Sequence, residues 1–201
     1  MEGQGAIKIH YFDEDGRAEV SRLVCVWAEK SFEDIRIPFE KWPVTKPAMP
    51  LGQVPVLEVD GQKYPQSLAI ASYLAREFGL YGRSNLDSLK IDIVAQTVLE
   101  FRVKASKHYY EQDAKIKSEL ATELTAKEAP TYLAYLESQL VKNQSNVMVG
   151  DQVTLADLII YDLFQGALGK FTQPNIAHFP HLQKLVEKIS DTEVIKKYAI
   201  A

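Results

Sequence analysis

Apolar and polar positions alternate over residues 6–11. Ile7, Ile9 and Tyr11 point one way, and Lys8 and His10 the other, which predicts a strand ending near Tyr11. Asp13-Glu14-Asp15-Gly16 is turn chemistry. From 17 to 30 the apolar residues Val20, Leu23, Val24 and Trp27 fall at helical spacing, and 32–38 reads as a second strand. Pro43, Pro47 and Pro50 crowd the next stretch, which predicts no regular element there. Val56-Leu57-Glu58-Val59 is a short apolar run, Asp60-Gly61 closes a tight turn, and 62–65 returns. Gln66-Ser67 then opens a helix that Gly79 ends. The order β-α-β-loop-β-β-α implies one parallel strand pair from the crossover and antiparallel strands from the hairpin.

Beyond Gly82 the pattern changes to helical periodicity over 86–110, 116–143 and 154–168, with Pro130 expected to kink or split the second stretch. Thr154-Leu155-Ala156-Asp157 has the form of a capping box with Asp as its fourth residue. Short helices are expected at 181–189 and 193–198. A boundary is placed within 80–84, giving a small α/β domain at 5–82 and an all-helical domain at 84–201.

Composition narrows the function classes. At 201 residues, 46% hydrophobic and 25% charged, the chain has ordinary globular make-up and enough length for two small cores. No apolar run approaches the roughly 18 residues that span a bilayer, and the opening MEGQGAIKIHYF has no leader pattern. A net charge of −4 without a basic, aromatic-interleaved run argues against nucleic acid. The single cysteine, Cys25, has no internal disulfide partner and falls on the apolar side of the first helix, where it reads as buried filler. His10, His108, His178 and His181 show no metal-ligand spacing, so no metal is expected.

The segment Gly52 to Ser67 is the most informative. It places the backbone groups beside Val54-Pro55 near those of a helix start, and such a pair of features can hold a small peptide-like anion. With Tyr11-Phe12, Gly16-Arg17-Ala18-Glu19, Trp42-Pro43, Lys46-Pro47, Gln66-Ser67-Leu68-Ala69-Ile70, Tyr73-Leu74-Ala75 and Thr154-Leu155-Ala156-Asp157, in that order over nearly the whole chain, it resembles the cytosolic glutathione transferases, and within them the sigma class. The resemblance implies a thioredoxin-like α/β N-terminal domain followed by an all-α C-terminal domain. It lacks the Cys-x-x-Cys pair of the thioredoxins themselves.

By that resemblance Tyr11 is catalytic and donates a hydrogen bond to the glutathione sulfur, with Arg17 beside it. Val54-Pro55 is a cis bond whose Val54 N–H and C=O pair with the central cysteine of glutathione. Gln66 and Ser67 hold the γ-glutamyl end, and Trp42 and Lys46 reach the glycyl carboxylate, with Gly52 and Gln53 completing that wall. Read without the resemblance, Tyr11 is a half-packed strand tyrosine, Ser67 an ordinary N-cap, Trp42 a lid on the core and Arg17 a solvated surface residue. Across a homodimer interface, Glu100, with Gln96 one turn earlier, is the implied contact to the glutathione amino group, and Phe12, Arg102, Ile159 and Ile200-Ala201 are implied for an apolar electrophile pocket. Gln96, Leu99 and Glu100 stand where prostaglandin D synthases of the class carry several aspartates that can bind a divalent ion, so that ion site is not expected. Asp15 replaces a basic residue found there in many relatives. The implied protein is a cytoplasmic homodimer that joins glutathione to small electrophiles. A carrier of haem or other lipophiles, and a glutathione-dependent prostaglandin isomerase, stay open as alternatives.

Overall fold

A computed structural model describes residues 6–200. Met1 to Gly5, on which part of the leader expectation falls, and Ala201, implied for the electrophile pocket, lie outside the described residues. The strands are β1 (Lys8–Phe12), β2 (Glu33–Ile37), β3 (Val56–Val59) and β4 (Gln62–Pro65), and they lie side by side in the order β2-β1-β3-β4. β1 and β2 are parallel, while β1/β3 and β3/β4 are antiparallel, the arrangement that the crossover and hairpin patterns predict. Asp60 and Gly61 both have positive φ, 52° and 75°, so the β3–β4 turn twists with its strands. β1 is central and its middle three residues are buried, His10 included. The polar side predicted by alternation is therefore covered, and His10 Nε2 meets Glu58 on β3 at 3.1 Å.

Helix α1 (Glu19–Trp27) follows β1. It buries Leu23, Val24 and Cys25, and desolvation pushes the Cys25 thiol up to about 12, as expected for inert filler. The proline-rich stretch departs from expectation. It is a chain of single helical turns, 3-10 at Phe39–Lys41, α2 at Trp42–Thr45, then 3-10 at Lys46–Ala48 and Pro50–Gly52. The prolines sit in the first turns, where their missing N–H costs no helical bond. Helix α3 (Ser67–Glu77) packs on α1, and Gly79, with φ of 75°, stops it.

The second group of helices comprises α4 (Asn85–Tyr110), α5 (Ala114–Glu123), α6 (Ala129–Asn143), α7 (Leu155–Gln165), α8 (Gly169–Thr172) and α9 (Pro180–Ser190). Between α5 and α6 lies a π turn, Leu124–Glu128, and Pro130 is the second residue of α6. A wide turn is how the backbone passes a residue that cannot donate, and it divides the 116–143 stretch into two helices, the split expected near Pro130. α8 was not legible in the sequence. Helix α10 (Glu193–Ile200) follows. The chain divides into two compact units. One ends at Leu80 and takes in the stretch from Glu193, so α10 packs with α1, and the other is Tyr81–Thr192.

The capping box forms in full at the start of α7. Asp157 is buried and accepts from Met148 N–H (2.6 Å), Thr154 N–H (2.7 Å) and Thr154 Oγ1 (2.9 Å). Desolvation outweighs these donors and pushes its carboxyl up to about 6. An acid whose folded value is raised keeps its proton in the folded state while the unfolded chain loses it. Its stabilising contribution is thus full below about pH 4 and is lost as pH rises through 6, with an upper bound on the order of 3 kcal/mol. Thermal unfolding of wild type and Asp157→Asn from pH 4 to 7 should give curves whose separation changes across that window. Parallel curves would show that Asp157 is already ionised at pH 4.

Candidate active site

The first compact unit carries a tight cluster at the tip of β1. Tyr11 is buried, and Arg17 N–H donates to its hydroxyl oxygen at 3.1 Å, a contact that uses an oxygen lone pair rather than the hydroxyl proton. The intervening turn demands Gly16. Its φ is 47°, and a Cβ there would lie 2.5 Å from Tyr11 Oη and 2.7 Å from Cε1. The Arg17 side chain itself is exposed, so the residue meets Tyr11 through its backbone. The guanidinium over the Tyr11 ring belongs to Arg22, whose Cζ is 5.8 Å from the ring centroid.

Around this tip the aromatic side chains interlock. Phe12 stacks on Phe39 at 4.6 Å between centroids and meets Trp42 edge-on at 5.1 Å. Trp42 opens α2 and is half-buried. Lys46 is exposed and lies over Gly52, whose added Cβ would come within 3.2 Å of Lys46 Cε. Gly52 has φ of 57°, and Gln53 beside it is extended. The Val54–Pro55 peptide is cis.

At α3 the N-cap is Gln66, not Ser67, which is the first helical residue. Gln66 has φ of 83° and ψ of 101°, a conformation that costs a non-glycine residue free energy and concentrates at binding sites. No side chain caps the helix start. The bland reading of Ser67 as an N-cap is therefore set aside. The first turn keeps N–H groups and a positive dipole end, which favour a carboxylate.

The other residues named from the sequence are placed separately. Ile200 is exposed, at the end of α10. In the second unit, Glu100 and Gln96 lie on one exposed face of α4, and Tyr132 donates its hydroxyl to Glu100 Oε1 at 2.8 Å. Arg102 Nη2 pairs with the buried Asp162 Oδ2 at 2.8 Å, and Ile159 is buried on α7. Arg22 and Asp34 carry no sequence expectation, and Glu19 enters only as the end of the Gly16-Arg17-Ala18-Glu19 run. Glu19 and Arg22 stand three apart on one helix, and that spacing was the available signal. Among the described residues, no group of three or more His, Cys, Asp or Glu could hold a metal ion, and no helix is long and apolar enough to cross a membrane.

Comparison with known proteins decides the family. Residues 7–76 match the glutathione S-transferase N-terminal domain and residues 99–200 its C-terminal domain. The chain belongs to the glutathione S-transferase family. A glutathione S-transferase of Anopheles gambiae is 37% identical, over 95% of this chain and 94% of its own length. The solved structure of prostaglandin synthase D from Nilaparvata lugens has a TM-score of 0.87 at 31% identity, covering 97% of each chain. The monomeric Na-GST-3 of Necator americanus has a TM-score of 0.84 at 31% identity, covering 97% of this chain and 96% of that one. The α/β unit with its four-stranded sheet and the helices that follow are the architecture of this family, whose co-substrate is glutathione. The protein is accordingly a transferase enzyme.

Proposed function

We propose that the protein is a sigma-class, cytoplasmic, homodimeric glutathione transferase that joins the glutathione sulfur to apolar electrophiles, with Tyr11 as the catalytic residue. The observation that carries this reading is the geometry at Tyr11: a buried phenol whose oxygen is held by Arg17 N–H, next to a turn that only Gly16 fits. A phenol so held donates its proton along one direction, and a sulfur placed there is favoured as the thiolate. An ordinary thiol with a pKa near 8.5 is only a few per cent ionised at pH 7.

In this reading residues 5–82 bind glutathione and 84–201 supply the electrophile pocket. Val54 pairs its backbone with the cysteinyl part beside Pro55. Gln66 and Ser67, at the uncapped start of α3, receive the γ-glutamyl carboxylate. Trp42, Lys46, Gly52 and Gln53 take the glycyl carboxylate. Lys46, exposed over Gly52, supplies a mobile ammonium suited to that role. Glu100 and Gln96, on one exposed face of α4, would reach the glutathione amino group of a second subunit. Conjugation is favoured over passive carriage because a carrier needs neither the phenol nor its clamp. Isomerisation of a prostaglandin endoperoxide is a second reading, favoured by the likeness to the Nilaparvata prostaglandin synthase D.

The deciding experiment is the ultraviolet difference spectrum of the protein saturated with glutathione at pH 7. A thiolate band is expected. Its absence would end the reading of Tyr11 as the residue that activates the thiol. Sedimentation equilibrium should give twice the chain mass, and a monomer would remove Glu100 and Gln96 from the glutathione site.

A further inference from the structure

Arg22 stands behind the catalytic tip and is fully buried, which for an arginine calls for a reason. Its Nε donates to Asp34 Oδ1 at 3.0 Å. Its Nη1 donates to the backbone carbonyls of Glu14 (2.9 Å) and Asp15 (3.3 Å) and to Glu19 Oε2 (3.1 Å). Nη2 has no hydrogen-bond partner, and the guanidinium carbon lies 5.8 Å from the Tyr11 ring centroid. One planar fork thus touches β2 through Asp34, α1 through Glu19, the 13–16 turn through two carbonyls, and the phenol ring itself.

The turn carbonyls matter most. Glu14 and Asp15 immediately precede Gly16 and Arg17, whose N–H fixes the Tyr11 hydroxyl. We infer that Arg22 is a positioning residue for thiol activation: by holding the 13–16 turn and backing the phenol ring, it sets where the Tyr11 hydroxyl points. The inference rests on the reading of Tyr11 given above. Charge alone does not account for the arrangement, because Glu19 and Asp34 both neutralise the guanidinium. A lysine would supply the same charge, but its single nitrogen cannot hold four acceptors in the plane of a fork.

The cluster has further members. Asp34 Oδ2 accepts from Arg36 Nε at 2.6 Å, and Arg36 also approaches Asp13 at 3.7 Å. Tyr198 of α10 hydrogen-bonds Glu19, so the last helix is tied to the same group. The charged and titratable side chains around Arg22 are thus Asp13, Glu19, Asp34, Arg36 and Tyr198, with Asp15 acting on Glu19 through space.

The test uses the full chain and glutathione as probe. The apparent pKa of the bound thiol is read by ultraviolet titration at saturating glutathione, and turnover is followed with 1-chloro-2,4-dinitrobenzene. Arg22→Lys should raise that pKa by about one pH unit, the size expected when a charge-assisted bond loses its aim. In a Tyr11→Phe background the same change should alter kcat/KM little, because the residue acts through the phenol. An unchanged thiol pKa in folded Arg22→Lys overturns the inference, as does an equal loss in both backgrounds. If Arg22→Lys does not fold, Asp34→Asn, at a quarter-exposed carboxylate, decides by the same two readouts. A wild type without any thiolate signal would instead overturn the reading of Tyr11 and not this inference alone.

Discussion

Replacing Tyr11 by Phe should lower kcat/KM for conjugation by about 10- to 100-fold near pH 6.5, with glutathione affinity nearly unchanged. One hydrogen bond to a charged acceptor is worth about 1.5–3 kcal/mol, and about 1.4 kcal/mol is a factor of ten. The substitution removes one oxygen and keeps the ring that packs under Arg22 and beside Phe12, so the fold should persist. The pH dependence separates this account from mere damage. The phenol is useful only while an unaided thiol would hold its proton. The deficit should therefore shrink as pH rises and nearly vanish above about pH 9, where a thiol with pKa near 8.5 ionises without help. Steady-state rates of wild type and Tyr11→Phe from pH 6 to 9.5 supply the check. A deficit constant over that range would mean that the hydroxyl does something other than stabilise the thiolate.

Much of the architecture was legible because it rests on short-range patterns. The β3–β4 hairpin is announced by Asp60-Gly61 between apolar runs, the start of α7 by Thr154 and Asp157, and the end of α3 by Gly79. The cis Val54–Pro55 bond was legible by family resemblance, and the same resemblance alone singles out Tyr11 and Gln66-Ser67, since nothing in the spacing of one chain marks a tyrosine for catalysis. What stayed hidden depends on contacts distant in sequence or on residues that break their usual habit. Arg22 reads as a solvent-facing position on an amphipathic helix until Asp34 and two turn carbonyls close round it. Pro43 and Pro47 read as breakers, yet they start turns instead of ending them. α10 follows the helical half in sequence but packs on α1, where Tyr198 meets a glutamate some 180 residues earlier. Arg17, placed beside Tyr11 by the resemblance, meets the hydroxyl through its backbone N–H while its side chain is exposed.

Gly16→Ala should be more damaging than Tyr11→Phe, because it attacks the same hydroxyl through geometry and the fold as well. Two penalties combine. A φ of 47° is unfavourable for alanine, at a cost of roughly 1–2 kcal/mol. The new methyl would also stand 2.5 Å from Tyr11 Oη and 2.7 Å from Cε1, distances no real Cβ tolerates. Tyr11 is buried in the central strand and cannot swing aside without leaving the Phe12–Phe39 stack's neighbour position at 5.5 Å, so the turn must move instead. Moving the turn pulls Arg17 N–H from the hydroxyl and the Glu14 and Asp15 carbonyls from Arg22, and each loss misdirects the phenol. The variant should show a lower unfolding midpoint, a bound-thiol pKa near that of free glutathione, and a conjugation rate at pH 6.5 no higher than that of Tyr11→Phe. Gly16→Ala in the Tyr11→Phe background should recover part of the stability, since removing the oxygen takes away the closest clash, without recovering activity. An active Gly16→Ala with a normal thiol pKa would show that Tyr11 is not held by this turn.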